Sequence, residues 1–192
     1  MTSSIRSICF SVLLISITGT SAGGTTILIK ADGTGDAATI QAGVIAASPG
    51  DTVLLAPGEY TGVGNRDVDF LGKAITVTSQ DGPAATTINC QGLGRGFLFV
   101  NGEVGTSVLS GLKIKNGNAY EGGAVSASLS KPTILYNVIT YNTATKDGGG
   151  VFVYGAVATT VPSRIAGNVF RGNLAIADPA NCRGGGLWVN ST

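Results

Sequence analysis

The chain has 192 residues, 43% of them apolar, with 12 Lys and Arg against 11 Asp and Glu and no histidine. It is too apolar for a disordered segment and long enough for one domain with a real core. The balanced charge, +1 overall, argues against a nucleic-acid or acidic-membrane partner, because both need a basic surface.

Residues 1–22 read apart from the rest. Met1–Ser7 carries Arg6, Ile8–Ile17 is apolar, and Thr20-Ser21-Ala22 is a small-residue site before Gly23. This pattern predicts a secretory signal peptide cleaved after about Ala22, and hence a secreted or cell-surface protein whose domain is 23–192. The apolar stretch is too short for a spanning anchor, and no later stretch predicts a transmembrane helix. Cys9 leaves with the signal; Cys90 and Cys182 remain in an export setting where disulfides persist.

Thr26–Lys30 and Thr52–Leu55 are expected strands. Between them, Ile40, Val44 and Ala47 share a helical face, Asp36 is the expected cap, and Pro49-Gly50 the stop. Asp32-Gly33-Thr34-Gly35-Asp36 reads as the turn into that helix, with a calcium loop as its alternative. The densest polar group follows in Asn65, Arg66, Asp67, Asp69 and Lys73. On a strand, Asp67 and Asp69 would point the same way, which suits a solvated face, a calcium ligand pair or an acid–base pair.

From residue 87 onward, three short apolar segments recur together. Ile88, Ile114, Ile139 and Phe170 form one series, and Leu109, Ile134 and Ile165 a second. The third aligns Gly96-Phe97, Gly123-Ala124, Gly150-Val151 and Gly186-Leu187, with starts 27, 27 and 36 residues apart. The segments are rich in Val, Ile, Phe and Thr, and the gaps hold Gly, Asn, Ser, Asp and Pro. Three strands per repeat, with length variation confined to loops, predict stacked coils about 4.8 Å apart whose inward residues form ladders.

The glycine runs Gly122-Gly123, Gly148-Gly149-Gly150 and Gly184-Gly185-Gly186 then mark one corner of successive coils. Positive φ or close approach of the neighbouring coil favours glycine there. Asn142 and Asn173, three residues after Ile139 and Phe170, suit bonding along a stack of turns, a phase that Gly117 fills one repeat earlier. Three coils span roughly 14 Å at that spacing, beyond the reach of about 7 Å for a disulfide. Cys90 and Cys182 are therefore expected to be free thiols.

These features resemble the pectate-lyase-like right-handed parallel β-helix superfamily. "ADGTGDAATIQAGVIAASPGDTVLLAPGEYTG" is similar to the start of such proteins, where it supplies a first strand, a capping helix and a first coil. "GGAV", "GGGV" and "GGGL", with Phe170-Arg171-Gly172-Asn173, look like the repeats of bacterial polymorphic outer-membrane proteins. The resemblance covers about 25–192 and implies an all-β, right-handed parallel β-helix with an N-terminal capping helix. It does not fix a function, since such folds carry lyases, hydrolases and adhesins.

The family's Gly-His-Gly motif cannot occur without histidine, and its esterase and lyase signatures are missing. The expectation is a non-catalytic surface, adhesive or carbohydrate-contacting scaffold with no cofactor, and a calcium-dependent polysaccharide lyase is the alternative. No residue is assigned a catalytic or metal role. Tyr60, Tyr120, Tyr136, Tyr141, Tyr154 and Trp188 are candidate sugar-stacking surfaces, with Trp188 expected in the core. The chain ends partway into a repeat, which suggests a truncated product whose last strand edge pairs with further coils or another chain.

Overall fold

The computed structural model describes residues 23–155, 164–176 and 183–190. The expected signal segment, residues 1–22, and Cys182 lie outside them.

The chain makes successive passes through the same set of sheets. β1 (Thr26–Ile29) and α1 (Ile40–Ala46) lead in, and the first pass through all three long sheets holds β2 (Thr52–Leu55), β3 (Gly58–Tyr60) and β4 (Val68–Asp69). The second holds β5 (Thr76–Ser79), β6 (Thr86–Asn89) and β7 (Phe97–Phe99). Four strands make the third: β8 (Val108–Ser110), β9 (Lys113–Lys115), β10 (Asn118–Ala119) and β11 (Val125–Ser128). The fourth repeats that order with β12 (Thr133–Leu135), β13 (Val138–Thr140), β14 (Thr143–Ala144) and β15 (Val151–Tyr154). The fifth has β16 (Ile165–Ala166), β17 (Val169–Arg171), β18 (Leu174–Ala175) and β19 (Leu187–Asn190).

The sheets run β1-β2-β5-β8-β12-β16, β3-β6-β9-β13-β17, β4-β7-β11-β15-β19 and β10-β14-β18. Pairing between neighbours is parallel throughout, and partners lie 24 to 36 residues apart. The protein is thus mainly β, built of parallel sheets, with one helix among the described residues.

Inward ladders hold the passes together. Tyr60, Ile88, Ile114, Ile139 and Phe170 lie in register. Val53, Val77, Leu109, Ile134 and Ile165 form a second ladder, extending the expected series upstream. Each fully buried Ile, Val or Leu contributes about 1.5–3 kcal/mol. The rings of Phe70 and Phe99 meet at 4.2 Å between centroids in the same interior.

One expected register is off by a residue. Val125 pairs with Phe97 and Val151, so Ala124, not Gly123, shares the place of Gly96 and Gly150. A shift of one residue would turn every side chain of β11 to the other face. The observed register puts Val125 and Ala127 inward with Phe97, Phe99, Val151 and Val153, whereas alignment at Gly123 would put Ser126 there.

The glycine runs also divide their work. Gly122, Gly148 and Gly184 have φ of 65°, 64° and 64°, the left-handed region. Gly149 does not; its constraint is the next pass, since a Cβ would lie 2.5 Å from the Gly185 carbonyl oxygen and against the Leu174 carbonyl.

Helix α1 starts later than expected. Thr39 is the cap, its hydroxyl accepting from the Ala42 N–H at 3.2 Å. Asp36 serves the strand instead, accepting from the Leu28 N–H at 2.8 Å. Ile40, Val44 and Ala47 are buried, as their shared face implies, and α1 packs on β1, β2 and β4.

The asparagine ladder is as expected and has an unforeseen twin. Asn142 Oδ1 accepts from the Gly117 N–H at 2.8 Å, and Asn142 Nδ2 donates to Asn173 Oδ1 at 2.9 Å. Asn137 and Asn168, five residues earlier, do the same: Asn137 accepts from the Leu112 N–H and donates to Asn168 Oδ1.

Candidate functional site

Alternation along β15 sends Val151 and Val153 into the core and Phe152 and Tyr154 to the outer face. In β19, Trp188 stands in register with Phe152 and Asn190 with Tyr154. Trp188 is therefore not a core residue; it belongs to the outward phase. Its ring stacks on Phe152 at 4.7 Å between centroids and 10° between planes. The Tyr154 ring lies 6.3 Å from both, tilted by 22° from Phe152 and 15° from Trp188. One pass below, the register puts Ser126 opposite Phe152 and Ser128 opposite Tyr154.

Charged residues border this aromatic group at the corner ahead of the glycines. Asp147 and Arg183 pair across adjacent passes, and the Gly122 N–H donates to the Asp147 carbonyl. The buried Asp147 carboxylate takes two bonds from Arg183, Nη2 to Oδ2 at 3.0 Å and Nε to Oδ1 at 3.3 Å. Lys146 Nζ meets Glu121 Oε1 at 2.6 Å, and that bond raises the lysine pKa, so the ammonium stays charged. The Arg183 guanidinium lies 4.9 Å from the Trp188 ring centroid, within cation–π range. Aromatic and charged residues together line a groove of about 360 Å³, within the range of small-ligand sites.

The residues singled out around Asp67 do not converge on a site. Asp67 has φ of 50°, so the strand alternation that would align it with Asp69 fails there. Asp67 Oδ1 accepts from the Arg95 N–H at 3.0 Å, and Asp69 Oδ1 from the Leu71 N–H and Asn101 Nδ2. Asn65 Oδ1 accepts from the Ile40 N–H at the start of α1, and Lys73 Nζ donates to the carbonyls of Val44, Ile45 and Ala47 at its end. Arg66 Nε donates to the Leu93 carbonyl, and its side chain borders a second groove of about 330 Å³. Much of the polar cluster therefore clamps the helix and loops.

Asp32 Oδ1 accepts from the Thr34 N–H and hydroxyl, bonds that hold its carboxyl below the usual range and close an ordinary turn. Among the described residues, no group of three or more Cys, Asp and Glu is arranged to hold a metal.

The expected sugar-facing tyrosines split. Tyr60 is buried, its hydroxyl donating to the Ile29 and Ala56 carbonyls, and belongs to the core. Tyr120, Tyr136, Tyr141 and Tyr154 are exposed. Tyr136 and Tyr141 sit at left-handed corners, and a Cβ on Gly172 would lie 2.8 Å from the Tyr141 ring. Cys90 is a free, buried thiol, whose burial pushes its pKa up to about 12.

Sequence reasoning missed Phe152, Glu121, Lys146, Asp147 and Arg183. A signal was present: Glu121, Asp147 and Arg183 each stand directly before a glycine run. No family model, curated protein or solved structure matches the chain.

Proposed function

We propose that the protein is an exported, right-handed parallel β-helix of the pectate-lyase-like kind, acting at the cell surface as a non-catalytic scaffold that contacts carbohydrate. Parallel ladders with like residues in register support the winding, and the Arg6-bearing start, the apolar run Ile8–Ile17 and the small residues Thr20-Ser21-Ala22 support export. The observation that carries the carbohydrate contact is the outward cluster of Phe152, Tyr154 and Trp188 beside hydrogen-bonding side chains. Sugar rings present apolar C–H faces and a polar rim, and such a surface offers an aromatic plate with donors and acceptors at its edge.

Glycan-array binding by the purified chain, without cleavage of the bound glycan, is the expected result. Release of unsaturated uronates from polygalacturonate with added calcium, lost in Asp67→Ala or Asp69→Ala, would instead establish the lyase.

A further inference from the structure

Resting on the carbohydrate reading above, we infer that the groove takes an uncharged glycan, with one sugar ring against Tyr154. Charge matching carries this. Each cation that borders the groove already faces its own carboxylate: Lys146 meets Glu121 at 2.6 Å, and Arg183 meets Asp147 at 3.0 Å. Two positive groups of the groove are matched by two negative ones, so its described residues offer no unanswered positive charge to a uronate or sulfate.

An anion in the groove would set its charge beside Glu121 and the buried Asp147, carboxylates that the two cations already answer, or would have to displace one of them and leave it unpaired. A hydroxyl makes no such demand. It can donate to Glu121 and accept from Arg183 N–H groups that Asp147 does not take, while both ion pairs persist.

The aromatic geometry selects the plate. Phe152 is almost fully buried beneath Trp188, and the Arg183 guanidinium lies over the Trp188 ring. Tyr154 is 43% exposed, and its in-register neighbours, Ser128 below and Asn190 above, are short. The Phe152–Trp188 stack fixes the orientation of the Tyr154 ring, while the short neighbours leave room beside it for a pyranose.

The test is an array carrying neutral hexose and pentose oligosaccharides beside oligouronates and sulfated glycans, probed with the full chain at 50 and 500 mM salt. Binding to neutral oligosaccharides that is at least tenfold tighter than to the charged ones, and changes less than twofold with salt, is expected. Tyr154→Ala should weaken that binding at least tenfold while Tyr154→Phe stays within about threefold, because the ring carries the contact. Preferential binding of uronates or sulfates, falling steeply with salt, would overturn the uncharged ligand and leave the carbohydrate reading standing. No binding to any glycan would overturn both. The wild-type specificity and salt response decide the matter even if Tyr154→Ala fails to fold.

Discussion

Replacing Gly149 by alanine separates two reasons for a glycine corner. If left-handed backbone were the requirement, the cost would fall on Gly148, with φ of 64°, and spare Gly149. The structure puts a different demand on Gly149. An added Cβ would lie 2.5 Å from the Gly185 carbonyl oxygen, against at least 3.4 Å for ordinary contact. That carbonyl must retreat by about 0.9 Å, and it also accepts from the Gly150 N–H at 3.0 Å. The same retreat takes this bond out of range. Losing it and stranding its partners costs about 1–3 kcal/mol, and overpacking adds about as much again. The Gly149→Ala variant should therefore lose about 3 kcal/mol or more. Gly82 is the control: φ is 79°, but a Cβ there meets nothing within 4 Å, so Gly82→Ala should lose only about 1 kcal/mol. Urea unfolding followed by circular dichroism measures both. A Gly149→Ala midpoint equal to wild type, or a larger loss in Gly82→Ala, would refute close approach as the cause.

Asn142→Ala should destabilise by about 2–4 kcal/mol in the same assay, because it strands the buried Gly117 N–H and removes the bonds to the Ile114 carbonyl and to Asn173. Alkali should also weaken the fold. Burial lifts both the Tyr60 hydroxyl, ordinarily near 10, and the Cys90 thiol, ordinarily near 9, to about 12. Both groups ionise first in the unfolded chain, so their stabilisation is complete below pH 9 and is lost as pH rises towards 12. Tyr60→Phe with Cys90→Ala should flatten that decline in urea midpoints measured across pH 8–12.

Inward positions were legible in the sequence because burial constrains them twice, by chemistry and by phase. Ile88, Ile114, Ile139 and Phe170 stand in register as their spacing predicts. The slip at Gly123 arose because Ala124 stands where the neighbouring passes have Gly96 and Gly150, and only the inward demand of Val125 and Ala127 reveals the true register. The helix start was misplaced for a related reason. Asp36 and Thr39 are both competent caps, and the Leu28 N–H, eight residues upstream of Asp36, claims the carboxylate.

Outward residues answer to no core, so hydrophobic phase does not announce them; the one repeated sign at the groove is a charged residue, Glu121, Asp147 or Arg183, directly before each glycine run. The Asp67–Asp69 pair looked like a site because strand alternation was assumed to continue through it, and a left-handed φ at Asp67 ends that alternation. The acidic and basic groups there then close loops and clamp α1. The groove instead arises where the fourth and fifth passes depart from the third on the outer face. Ser126 gives way to Phe152 and then Trp188, and Ser128 to Tyr154 and then Asn190. The change from Ser126 to aromatic residues makes a step in the outer face, and the corner residues Glu121, Asp147 and Arg183 supply polar groups beside it. Stacked passes make the outer surface additive in this way: an outward substitution alters one rung of it while the inward ladder beneath keeps its register.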